Sequence, residues 1–122
     1  MKRLMKSFSY AFKGIGATLR SEPNFSIHSS VFIMVVAAGA YFRIPPAEWM
    51  VIILCSALVF SLEMVNTAIE KLCDHLHPEK HHSIGAVKDV AAGAVFIAAA
   101  ASVFIGLMIF VPKIFKVLQV LP

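Results

Sequence analysis

Apolar residues run through this chain in three long blocks, and shorter stretches between them place polar and apolar residues at helical rather than strand spacing. Over residues 3–20, Leu4, Met5, Phe8, Phe12, Ile15 and Leu19 fall within about 100° of one another on a helix, while Lys2, Lys6, Lys13 and Arg20 gather on the far side. That pattern predicts an amphipathic helix lying in a membrane surface, aromatic side down and basic side toward anionic headgroups. Packing of the same face on a protein partner is the alternative. Residues 21–25 read as a break, because Pro23 disfavours helix at Glu22 and leaves that carboxylate at a bend.

The three apolar blocks predict membrane spans at about 27–44, 48–75 and 88–111. Arg43, Pro45, Pro46 and Glu48 form a short turn between the first two, and Trp49 stands where an interfacial aromatic anchor is expected. The second helix is too long for a hydrocarbon core of about 30 Å, so its last turns should emerge into water with Glu70 and Asp74. A histidine-rich polar loop, 75–83, follows. In the third span Ala94, Ala98, Ser102 and Gly106 recur every four residues, a spacing that lets helix backbones approach closely in lipid. The expected fold class is an all-α membrane protein, with one amphipathic surface helix and three transmembrane helices forming a single domain over residues 1–122.

Composition agrees with the pattern. A hydrophobic fraction of 59% and a mean hydropathy of +0.81 are too apolar for a soluble domain of 122 residues. The net charge of +4 matters less than its placement. Lys2, Arg3, Lys6, Lys13 and Arg20 precede the first span, and Lys71, Lys80 and Lys88 lie between the second and third, against Arg43, Lys113 and Lys116 on the other side. The positive-inside bias predicts a cytoplasmic N-terminus and second loop. Cys55 and Cys73 share one helix about 27 Å apart and cannot pair within it. The basic start lacks the long apolar core and cleavage site of a signal peptide, so the whole chain is expected to be retained. No nucleic-acid partner is expected.

The candidate chemistry sits in residues 61–74. Asn66, Thr67, Glu70 and Asp74 lie within roughly 60° of Glu63 on a helix, with Val65, Ala68, Ile69 and Leu72 opposite. Carboxylates at the end of a membrane helix are costly and default to a functional reading. Glu63, at the edge of the apolar zone, suits general-base work, because desolvation disfavours the charged form of a carboxylate. Glu70, about 10 Å further along the axis, is placed to hold Mg²⁺ together with substrate phosphates. Lys88 could neutralise phosphate charge. The spacing is compatible with phosphoryl transfer between a lipid hydroxyl and a metal-bound nucleotide. A stripe of acids at a helix end is, on geometry alone, more often a solvated or trimer-facing polar seam. Neither a GxxxxGK[ST] loop nor the protein-kinase motif set is present. His75, His77, His81 and His82, with Cys73 and Asp74, do not match a standard structural zinc spacing and read as a surface loop. Two non-enzymatic alternatives stand beside these: a small oligomeric transporter or channel subunit with Glu63, Asn66 and Glu70 lining a polar path, and a non-catalytic assembly subunit.

The run from Glu63 to Glu70, E-M-V-N-T-A-I-E, followed by Asp74 and then by Lys88-Asp89 ahead of an alanine- and glycine-rich span, resembles the small bacterial diacylglycerol kinase/undecaprenol kinase family. The resemblance extends over nearly the whole chain, through residues 10–14, 21–25, 78–81 and 89–93. It implies an ATP- and Mg²⁺-dependent lipid kinase of the bacterial cytoplasmic (inner) membrane, a homotrimer with active sites shared between protomers. By resemblance, Glu63 is the base acting on the lipid hydroxyl, and Glu22 and Glu70 hold the metal. Lys88, Asp89, Glu79, Lys80, His81, Tyr10 and Arg3 would contact the nucleotide, with Asn66 and Asp74 in support. Phe12 stands where some members carry tryptophan, and Ser26 and Ala86 where some carry arginine. Residues 21–28 and 89–95 look more like the undecaprenol kinase branch, so undecaprenol is the expected lipid ahead of diacylglycerol.

Overall fold

The computed structural model describes residues 1–120, which fold into four helices. They are α1 (Lys2–Ser21), α2 (Pro23–Phe42), α3 (Pro46–Leu76) and α4 (His82–Val120). The expected break between the first two helices is a single residue wide. Glu22 is extended, and Pro23 opens α2 at its first position, where the missing N–H costs nothing. α2 therefore begins four residues before the apolar block that predicts it.

At its far end α2 closes on Arg43, the one non-glycine residue with positive φ (50°) among the described residues. The Ile44 amide donates to the Gly39 carbonyl and the Arg43 amide to the Ala40 carbonyl, a Schellman closure that returns the chain into α3. Gly39 is required here by a close approach, since a Cβ on it would lie 2.7 Å from the Trp49 ring. Trp49 thus caps the turn from within. Nearby, Lys113 on α4 reaches both carboxylate oxygens of Glu48 on α3, at 3.0 and 2.9 Å. The same ammonium donates to the Ile109 carbonyl, beside the helical turn that Pro112 interrupts.

α3 and α4 pack along their lengths, with α2 against α3, and α1 touches both α2 and α3 at one end. Ala98 of the small-residue row is buried, and the Ser102 hydroxyl donates to its carbonyl. Phe25 and Phe32 of α2 bracket Phe60 of α3, with ring centroids 5.2 and 5.8 Å apart. α2, α3 and α4 are each long and apolar enough to cross a membrane. At about 1.5 Å per residue, α3 and α4 both exceed the hydrocarbon thickness, and α4 continues helical past the expected limit of its span. The large apolar side chains of α1, from Leu4 to Leu19, are exposed in the single chain, as a helix resting on lipid requires.

Candidate active site

Polarity is inverted on the C-terminal half of α3. Glu63 (3% exposed), Asn66 and Thr67 are buried, whereas Val65 and Leu72 on the opposite face are exposed. The polar stripe faces the other helices of the chain and the apolar side faces outward, as a membrane helix with an internal site demands. α1 crosses α3 here, where Gly14 leaves room for the Met64 methyl.

Around Glu63 the fold gathers residues from three places. His28, one turn into α2, brings its Nε2 to 4.0 Å from Glu63 Oε2. Glu22 and Glu70 both lie within electrostatic reach of the same carboxylate. The Glu22 carboxylate accepts from the Ser21 hydroxyl at 3.2 Å and faces the Lys71 ammonium at 3.8 Å. One α-helical turn from Glu63, Asn66 Nδ2 donates to Glu70 Oε1 at 3.1 Å, and the buried Asn66 Oδ1 has no donor among the described residues. Glu22, Glu63, Asn66 and Glu70 therefore form a loose cluster at the α1–α2–α3 junction, the outer two acids within electrostatic reach of Glu63 rather than converged on one point.

Further toward water, a second cleft of about 540 Å³ opens between the end of α3 and the start of α4. Asp74, Glu79, Lys80, His81, Lys88 and Asp89 all line it. Asp74 accepts from Lys88 Nζ at 2.8 Å, which ties α3 to α4 and aims the ammonium along the cleft wall. The loop is shorter than expected: α3 runs to Leu76 and α4 starts at His82, leaving five residues between them. His77 and His81 face each other at 5.1 Å between ring centroids. No three histidine, cysteine or acidic side chains converge as a metal cluster among the described residues.

Tyr10 and Arg3 lie apart from both groups. Each is exposed on α1, and the Tyr10 ring has the Lys13 ammonium 5.9 Å from its centroid. His28, by contrast, belongs to the Glu63 cluster although the motif spacing passes over it. Its only signal in the sequence is an ionisable side chain inside an apolar block, which in a membrane helix is itself a mark of function.

Comparison with known proteins matches the sequence to a family. Residues 9–110 fit the model of prokaryotic diacylglycerol kinases. An undecaprenol kinase from Bacillus subtilis is 44% identical over 115 residues, covering 93% of each chain. A diacylglycerol kinase from Synechocystis is 33% identical over 94% of this chain and 66% of its own. The diacylglycerol kinase of Escherichia coli K12 is 28% identical over 79% of each. The transporter and scaffold readings give way to an enzymatic one. The chain belongs to the prokaryotic diacylglycerol kinase family and is a membrane-embedded, ATP-using lipid kinase.

Proposed function

We propose that this kinase transfers the γ-phosphoryl group of ATP to the hydroxyl of undecaprenol, in preference to diacylglycerol, at the cytoplasmic face of the bacterial inner membrane. The observation that carries this reading is a buried carboxylate, Glu63, on a helix long and apolar enough to cross a membrane, whose final turns, about 16 Å further along, line a charged, open cleft. The 44% identity to an undecaprenol kinase favours that lipid.

Glu63 accepts the proton of the lipid hydroxyl as its oxygen attacks the γ-phosphorus and ADP departs. Burial keeps the carboxylate from being screened by water, and the packing of its helix face against the other helices fixes its direction. Lys88, held by Asp74, meets phosphate charge in the cleft, and Asp89 with the Glu79–Lys80–His81 loop surrounds the nucleotide there. Arg3 and Tyr10 reach the nucleotide from α1, most readily that of a neighbouring protomer in a homotrimer.

Glu22 and Glu70 suit a divalent cation. The protein offers two carboxylates and the unpaired Asn66 Oδ1 rather than a closed cage, the donor set that fits Mg²⁺ shared with substrate phosphates. When bound, Mg²⁺ would neutralise phosphate charge as it builds up. Asn66 orients Glu70 through its 3.1 Å hydrogen bond, and Lys71 balances Glu22 when the cation is absent.

The test offers undecaprenol and diacylglycerol side by side to the purified protein in lipid vesicles with γ-labelled ATP. Label is expected chiefly in undecaprenyl phosphate. Equal or greater labelling of diacylglycerol overturns the lipid preference, and labelling of neither overturns the reading as a whole.

A further inference from the structure

Beside Glu63 there is a nitrogen that no step above uses. His28 Nε2 lies 4.0 Å from Glu63 Oε2, too far for a direct hydrogen bond. One oxygen atom at hydrogen-bond distance from each spans that gap. The imidazole is one-quarter exposed, and what it is exposed to is informative. His28 also lines an apolar groove of about 490 Å³ enclosed by α2, α3 and α4, whose other walls include Val31, Phe32, Val59 and Phe60. Among the residues lining that groove His28 is the one ionisable side chain apart from the Cys55 thiol, so it stands where the apolar groove meets the buried carboxylate. The neighbouring ammonium groups are engaged elsewhere, Lys71 with Ser21 and Glu22 and Lys88 with Asp74.

We infer that His28 binds the acceptor hydroxyl of the lipid. Resting on the lipid-kinase reading above, the hydroxyl oxygen occupies the gap between the two side chains. It accepts a hydrogen bond from the Nε2–H of His28 and donates its own proton toward Glu63 Oε2. This arrangement turns an oxygen lone pair toward the nucleotide side. In the transfer, the bond from the lipid oxygen to the γ-phosphorus forms, and the bond from that phosphorus to the β,γ-bridging oxygen breaks. The hydroxyl proton passes to Glu63, and ADP leaves with the electron pair; His28 gives up no proton. The lipid chain lies in the direction of the groove, so the histidine reads the junction between chain and hydroxyl.

The experiment compares wild type with H28F, which keeps a planar ring without nitrogen, and H28Q, whose amide nitrogen reaches a similar point. Both are assayed in vesicles with undecaprenol and γ-labelled ATP. Removing a donor to the acceptor oxygen is expected to lower kcat/KM for the lipid by about tenfold or more, with KM for ATP unchanged within twofold. H28Q is expected to recover most of the loss. H28F within twofold of wild type overturns the assignment, as does a folded H28Q no better than H28F. To separate the contact from any change in packing caused by H28F, the wild type carries a second readout: ¹⁵N NMR of histidine-labelled protein, titrated with undecaprenol in the presence of a non-transferable ATP analogue. A shift of the His28 Nε2 resonance supports the contact, and an unmoved resonance at saturating lipid overturns it. Absence of any wild-type transfer to lipid instead defeats the underlying lipid-kinase reading, so the two failures are distinct.

Discussion

Two acidic residues with different surroundings divide the work at the scale of single side chains. Glu22 and Glu70 lie in the partly open portion of the cluster, where each already has a polar neighbour, Lys71 for one and Asn66 for the other. Replacing either by glutamine keeps the shape and removes half of the proposed divalent-cation site. E22Q and E70Q are therefore expected to lower activity by one to two orders of magnitude at about 1 mM Mg²⁺, and to recover in part as Mg²⁺ is raised. Mg²⁺ titrations of kcat/KM check this, and curves that parallel wild type would count against both as ligands. K88A is expected to raise KM for ATP about tenfold or more while leaving KM for lipid nearly unchanged, since the Lys88–Asp74 pair lines the charged cleft proposed for the nucleotide rather than the apolar groove. The run from Glu63 to Glu70 was legible in the sequence because helical spacing alone puts its polar side chains on one face. His28 was not, because its neighbour is 35 residues away in sequence and only the packing of α2 on α3 brings the two together.

Helix limits show the same division. Apolar blocks announce the three spans, but where each helix stops depends on local hydrogen bonding that hydropathy does not encode. α2 starts early because Pro23 suits a first helical position, and α4 runs on past Pro112, with Lys113 supplying the nearby Ile109 carbonyl with a donor and pairing with Glu48. The turn between α2 and α3 depends on Gly39, whose missing side chain admits the Trp49 ring and Ile44. G39A should therefore destabilise the fold by about 1–3 kcal/mol. Thermal unfolding in detergent should show a lower midpoint for G39A, while G16A, with open space around its Cβ, should unfold no earlier than wild type.

For the whole molecule, the decisive feature is that large apolar side chains face outward over most of the surface while Glu63, Asn66 and Thr67 are buried. The exposed large hydrophobic side chains are distributed over all four helices, an apolar surface that suits a bilayer rather than water. Native mass spectrometry in mild detergent is expected to find three chains, and mixed trimers of an α1 variant (Tyr10→Phe with Arg3→Ala) and E63Q should regain activity if α1 serves a neighbour's site. Activity no higher than that of either parent would assign Arg3 and Tyr10 to their own protomer or to no nucleotide contact.

The account rests on Glu63 as the group that takes the hydroxyl proton. Single-turnover transfer from γ-labelled ATP to undecaprenol, compared between wild type and E63Q in the same vesicles, tests it most directly. The account predicts a loss of 10²–10⁴-fold, on the order expected for removing a general base, with helical content and oligomeric state retained. Near-normal transfer by a folded E63Q would contradict it.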